Sequence, residues 1–340
     1  MRALTFAKYG KTSEVLRVAD VPAPTKADVP AGFVLVKVRA ASLNPVDKMR
    51  IEGKLATTPE LRGFPAVVGY DVAGTVEALG EGVKGFKVGA AVAARMQSVP
   101  WQGCCAEYCV VKADKLALKP RSVSFGDAAA VGLAGQTALQ ALRSGGVGKG
   151  SKVLVTGGAG GVGTLAIQLA KILGASTVAT TASKGEKAEL CRTLGADVVI
   201  DYKEQKFEDE LSGFDFALDL TGEAAKCAAV LTPGSKVISV TGMPTASALE
   251  SIGVKVNCVT RCMLGMATGA NVRAAQAAGV EWVWMFLYPN GDDEAALLEY
   301  LRKRKLKVVV DGSYPLEQAA DAAARVFSGR AKGKVVVTVG

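Results

Sequence analysis

Histidine is absent from all 340 residues. That removes the commonest metal ligand and the commonest general acid–base group. It excludes a Ser-His-Asp triad and leaves any catalytic zinc to carboxylates and thiolates alone. Aromatic residues are scarce, at 6%. The basic clusters Arg302-Lys303-Arg304-Lys305 and Arg330-Ala331-Lys332-Gly333-Lys334 are not interleaved with them. Single-stranded nucleic acid would find no stacking platform there, the first cluster reads as a solvated basic helix face, and nucleic acid is not the expected partner despite a net charge of +9. The seven cysteines are odd in number, and the closest three, Cys104, Cys105 and Cys109, match no zinc spacing. They read as small buried thiols of a reducing compartment. No apolar run reaches membrane-spanning length, and residues 1–6 already read as strand, so a cytoplasmic protein without a leader is expected.

What is present is a glycine run, Gly157-Gly158-Ala159-Gly160-Gly161-Val162-Gly163. It follows the β-branched stretch 152–156 and precedes a helical stretch beginning at Thr164. Gly158, Gly160 and Gly163 satisfy G-x-G-x-x-G at a strand-to-helix turn, the context in which the pattern signals a dinucleotide. The first glycine allows the tight turn. The second lets backbone amides approach a pyrophosphate, and the third lets helix and strand pack closely. Ala159, Gly160, Gly161, Val162 and Gly163 are therefore candidate cofactor contacts, with the helix N-terminus supplying amides to the anion.

The chain is long enough for two domains, and 49% hydrophobic with 21% charged residues is ordinary for a globular α/β protein. Before about residue 120 it reads as short strands between Gly and Pro. Beyond Pro120 strands alternate with helices through 236–240, which predicts a doubly wound parallel sheet. The run 282–287 reads as a last, fully buried strand, followed by a helix over 294–303. Residues 308–310 and 334–339 return to strand character, so the tail is expected to complete the first domain. The segment 243–280, rich in Met, Ala and Gly, gives no clear pattern and is expected to border the substrate cleft and a dimer surface.

The second strand of the alternating region ends Thr180-Thr181-Ala182-Ser183-Lys184, with no acid to accept from a ribose 2′-hydroxyl. Hydroxyl and ammonium groups favour a 2′-phosphate, so NADPH is the expected cofactor. Glu186 would oppose this unless it lies in the next helix's first turn.

These features, together with Asn44-Pro45-Val46-Asp47, Gly69-Tyr70-Asp71, Gly135-Gln136-Thr137-Ala138, the segment 194–202 and the segment 329–337, resemble the medium-chain dehydrogenase/reductase superfamily. Within it the chain is similar to the zinc-independent quinone oxidoreductase and alkenal (enone) reductase branch. The resemblance runs nearly end to end. It implies a GroES-like, mainly β catalytic domain over 1–123 and 305–340, and a Rossmann NADPH-binding domain over 124–304. It also implies a homodimer joined through a sheet edge near 236–240 or 282–287. Zinc-containing members carry Cys-His-x-Asp and Gly-His-Glu where this chain has Asn44 and Tyr70, so two ligand positions hold an amide and a phenol. The resemblance makes Asn44 and Tyr70 the candidate catalytic residues. Tyr70 would donate to a developing oxyanion or relay a proton, or else pack structurally. Ser183, Lys187 and Tyr202 would join Lys184 at the adenosine phosphate, with Arg330 and Lys332 as further basic contacts. Thr137 and Gly242 would lie by the nicotinamide. The expected substrate is a quinone or enone electrophile. The competing readings are a non-catalytic NADPH-binding protein with an RNA-binding or structural role, and a 2-enoyl-thioester reductase.

Overall fold

The computed structural model describes residues 1–55, 63–96 and 103–340. The chain divides into two compact units, Met1–Gln136 with Pro289–Gly340, and Thr137–Tyr288. The division falls inside the helix Phe125–Ser144 and before the helix Gly291–Arg302, whereas the sequence pattern drew it at 123/124 and 304/305.

In the first unit the β-branched run Phe33–Leu43 lies at the centre of a seven-stranded sheet. It pairs antiparallel with Asp71–Leu79, with Tyr108–Lys112 and with the tail strand Lys334–Thr338. The tail thus returns to complete this unit. Val34, Val36 and Val38 point alternately inward, joining Leu4, Phe6, Val72 and Val337 in one buried core. The helix Ala319–Phe327 adds Ala319, Ala322 and Ala323, spaced i, i+3, i+4 on a single buried stripe.

The second unit is a six-stranded, wholly parallel sheet. Its spatial order is Val198–Ile200, Thr177–Thr181, Lys152–Val155, Phe214–Asp219, Leu231–Ser239 and Glu281–Trp284. The order reverses between Lys152–Val155 and Phe214–Asp219, which puts the switch point at the glycine turn. The helix Gly161–Leu173 buries Gly163 through Ala170 and stops at Gly174, whose φ of 105° is left-handed.

One expectation needs correction, and one segment left without a pattern gains one. The last strand is Glu281–Trp284, an edge strand with its central residues only half-buried, because no strand covers its outer side. The segment 243–280 contains the helices Ala246–Ser251 and Cys258–Ala278. The longer one buries only Leu264, Thr268 and Ala275, so it never displayed the apolar stripe that sequence reading depends on.

Candidate functional site

In the second unit every candidate cofactor residue but Thr137 follows the carboxyl end of a parallel strand or opens the helix after it. Three glycines of the turn serve different ends. A Cβ on Gly158 would fall 2.2 Å from Thr180 Oγ1, and one on Gly163 would fall 2.4 Å from the Gly157 carbonyl oxygen. Both are needed for strand and helix to meet. Gly160 is different. Its φ is −81°, and a Cβ there would meet nothing nearer than the Gly157 oxygen at 3.4 Å. The protein itself has no need of glycine at this position, whereas a phosphate seated on the helix N-terminus would need the space. Gly161, Val162 and Gly163 open that helix, where amides have no intrahelical acceptor. The turn therefore fits a dinucleotide.

Ser183 and Lys184 follow the adjacent strand Thr177–Thr181, and Lys187 is the second residue of the helix Glu186–Thr193. Glu186 thus stands in a helix first turn, beyond the strand end. The Thr181 hydroxyl is engaged by the Gly157 amide at 2.9 Å. Tyr202 is exposed just beyond Val198–Ile200, and Asp201 accepts from the Lys184 amide at 3.2 Å. Gly242 lies in the left-handed region after Leu231–Ser239, and Thr137 is buried on the helix Phe125–Ser144. Sequence reading missed Asp219. Its buried carboxylate accepts from the amides of Thr221, Gly222 and Glu223 at 2.8–3.1 Å and from Ser239 Oγ at 2.7 Å, fixing the loop across the switch point.

The other candidates lie in the first unit. Arg330 is exposed, and the Lys332 amide donates to Asp311, which the Arg325 guanidinium holds below the usual carboxylate range. Asn44 and Tyr70 are buried at the ends of neighbouring strands, and they sit in a closed polar cluster. Strand register builds it, because Ser42 pairs with both Asp71 and Val336. Asn44 Nδ2 donates to Asp71 Oδ2 at 2.8 Å and to the Ser42 carbonyl at 3.4 Å. Its Oδ1 accepts from Lys334 Nζ at 2.5 Å. Asp47 accepts from the amides of Asn44 and Gly69 at 2.8 and 3.0 Å, tying the two motifs together. Burial lifts the Asp47 carboxyl to about 7, against those amides and with help from Asp71. Burial likewise raises Asp71, with Lys334 opposing. The Arg95 guanidinium lies 5.4 Å from the centre of the Tyr70 ring.

Asp71 Oδ1 also accepts from the Leu133 amide at 2.7 Å, in the middle of a helix. A carboxylate can reach that ladder only because residue 132 is glycine, where a Cβ would lie 2.7 Å from the same oxygen. One turn further on, Gln136 Nε2 donates to Glu294 at 2.7 Å. None of Asp71, Lys334 or Glu294 announced these contacts in the sequence, because each depends on pairings distant along the chain.

This donor set does not suit zinc. Amide and phenol are poor ligands for Zn²⁺, and two cations, Lys334 and Arg95, already accompany the cluster's carboxylates. Among the described residues no group of three His, Cys, Asp or Glu side chains is placed to hold a metal ion.

Residues 30–121 match the alcohol dehydrogenase GroES-like domain, and residues 194–337 match the zinc-binding dehydrogenase domain. The chain belongs to the medium-chain dehydrogenase/reductase superfamily, with the Rossmann and GroES-like folds of that group. It is 36% identical to 2-methylene-furan-3-one reductase of Solanum lycopersicum, over 99% of this chain and 79% of that protein. It is equally similar, at 36% over the same shares, to the chloroplastic NADPH-dependent alkenal/one oxidoreductase of Arabidopsis thaliana. Among solved structures, the quinone oxidoreductase from Coxiella burnetii superposes with a TM-score of 0.84 at 30% identity, covering 100% of this chain and 99% of that one.

Proposed function

We propose that this protein is an NADPH-dependent, zinc-independent oxidoreductase that transfers hydride to quinones or α,β-unsaturated carbonyls. The observation that carries the reading is the pair of neutral side chains, Asn44 and Tyr70, buried where zinc-containing members carry ligands, with Lys334 and the Arg95 guanidinium as their neighbours. An alcohol needs its oxygen polarised before it yields hydride. A conjugated acceptor does not, because it spreads the incoming charge onto its own oxygen. The names of the reductase relatives support the same substrate class and cofactor.

NADPH, when bound, supplies the hydride from nicotinamide C4. The chain's residues bind and orient. The amides at Gly161–Gly163 take the pyrophosphate, and Ser183, Lys184 and Lys187 take the 2′-phosphate with Tyr202 beside it. Arg330 and Lys332 are assigned as outer basic contacts, and Thr137 and Gly242 as neighbours of the nicotinamide. Asn44 and Tyr70 border the acceptor. Because the Asn44 amide is already spent on Asp71, Ser42 and Lys334, its part is to hold the site's shape. Tyr70 is assigned the part that the resemblance implies, donating to the developing oxyanion or relaying a proton. NADPH consumption against a panel of enones, enals, quinones and enoyl thioesters tests the reading. Turnover of enoyl thioesters alone would replace it with a thioester reductase, and turnover of none would refute it.

The protein is further proposed to be a cytoplasmic homodimer joined at the edge strand Glu281–Trp284. Lys236–Val240 does not serve, because Lys236–Ser239 is paired on both sides. Support comes from the open edge itself and from apolar side chains exposed on the same unit, including Val259, Met263 and Met266. A monomeric mass in solution would rule the dimer out. Neither a membrane nor nucleic acid is proposed as a partner; no helix among the described residues is long and apolar enough to cross a membrane.

A further inference from the structure

We propose that Lys334 is a positioning residue for acceptor reduction, an internal cation that holds Asn44 and Asp71 in the arrangement the reaction uses. The proposal rests on the reading of Asn44 and Tyr70 as acceptor-side residues. An ammonium has three hydrogens to give, and Lys334 Nζ has three oxygens around it: Asn44 Oδ1 at 2.5 Å, the Leu43 carbonyl at 3.4 Å and Asp71 Oδ2 at 3.5 Å. Its side chain is 3% exposed and that of Asp71 is 0% exposed, so neither charge has water to fall back on. The cation decides which way the Asn44 amide faces. With oxygen toward Lys334, the amide nitrogen must face Asp71 and the Ser42 carbonyl. The same side chain opposes the burial that raises the Asp71 carboxyl, and Asp71 accepts from both Asn44 and the Leu133 amide. Lys334 therefore secures three segments at once: the turn at Asn44–Asp47, the strand end at Tyr70-Asp71, and the helix at Leu133.

Loss of the ammonium would leave Asp71 to take a proton. A protonated carboxyl would no longer accept from both neighbours, and the Asn44 amide would be free to turn. The nucleotide turn, which lies on other strands, should keep its affinity.

The test uses the full chain with NADPH, and methyl vinyl ketone and para-benzoquinone as probes. Lys334→Met is expected to lower kcat by about ten- to a hundredfold while the Kd for NADPH stays within about twofold. Because an unpaired buried Asp71 will also weaken the fold, the double variant Asp71→Asn with Lys334→Met is the control. With neither member of the Asp71–Lys334 pair left to be buried unpaired, it should recover melting temperature but not kcat. The inference is overturned if Lys334→Met keeps the parental kcat, or if kcat returns together with melting temperature in the double variant, which would make Lys334 merely structural. A parent that reduces neither probe defeats the proposed function first, and this inference with it. An active parent with active Lys334 variants defeats this inference alone.

Discussion

Glu294→Gln should make the protein increasingly more stable than its parent as pH rises from about 4.5 to about 8. Glu294 lies in the first turn of the helix Gly291–Arg302 and is 0% exposed. Its Oε2 accepts from Gln136 Nε2 at 2.7 Å, while Oε1 is buried with no hydrogen-bond partner. Burial pushes its carboxyl from the ordinary 4.5 up to about 8; the Gln136 bond opposes this, and Asp71 and Asp293 add to it. The folded chain therefore holds this proton more tightly than the unfolded chain does. The resulting stability is complete below 4.5 and is lost as pH rises through about 8. The span between those values, at about 1.36 kcal/mol per pH unit, sets a ceiling near 5 kcal/mol. Relaxation around a buried charge should bring the measured effect to about 2–3 kcal/mol.

Glutamine has the shape of the protonated acid and keeps an oxygen for Gln136. The two proteins should thus agree within about 1 kcal/mol near pH 5, diverge up to about pH 8 and run parallel above it. Urea denaturation of both across that range measures the difference, and Asp47, raised to about 7 in each, cancels from it. Stability curves parallel below about pH 8 as well would refute the reasoning and mean that Glu294 ionises in the fold without penalty.

Gly160→Ala should fold with an unchanged melting temperature yet gain no thermal protection from NADPH, since its Cβ meets only the Gly157 oxygen, at an ordinary 3.4 Å. Gly158→Ala should instead weaken the fold itself, by overlap with Thr180, and a denaturation curve separates the two cases. Lys184→Ala or Lys187→Ala should narrow the preference for NADPH over NADH, each lost charge-assisted contact costing about 1.5–3 kcal/mol by titration calorimetry. Elemental analysis should find no stoichiometric zinc, and activity should survive a chelator; one tightly held Zn²⁺ per chain would contradict the reading of Asn44 and Tyr70.

How much was legible beforehand depends on how local each feature's cause is. The glycine turn needs only a strand, three glycines and a helix in succession, and those lie within about twenty residues of one another, so its place and the parallel sheet around it could be read directly. The caps of the segment 243–280 were equally local: Thr245 accepts from the Ala248 amide and Asn257 from the Thr260 amide. Those helices escaped notice because Met, Ala and Gly around Leu264 form no stripe. The strand at Trp282 misled for a related reason. An apolar run looks the same whether it ends up in a sheet's centre or at its edge, and only the strand order tells them apart. The first unit's polar cluster lay further out of reach. Lys334 stands in a run of basic residues of which only Arg330 and Lys332 drew a role, and it becomes buried because the tail strand pairs with Leu43, about 290 residues earlier. That pairing brings an ammonium to Asn44 and Asp71, two positions whose neighbours in sequence say nothing of it. The motif's residue types could show that a metal's ligands were missing; only the sheet register could show that a cation had come to stand beside them.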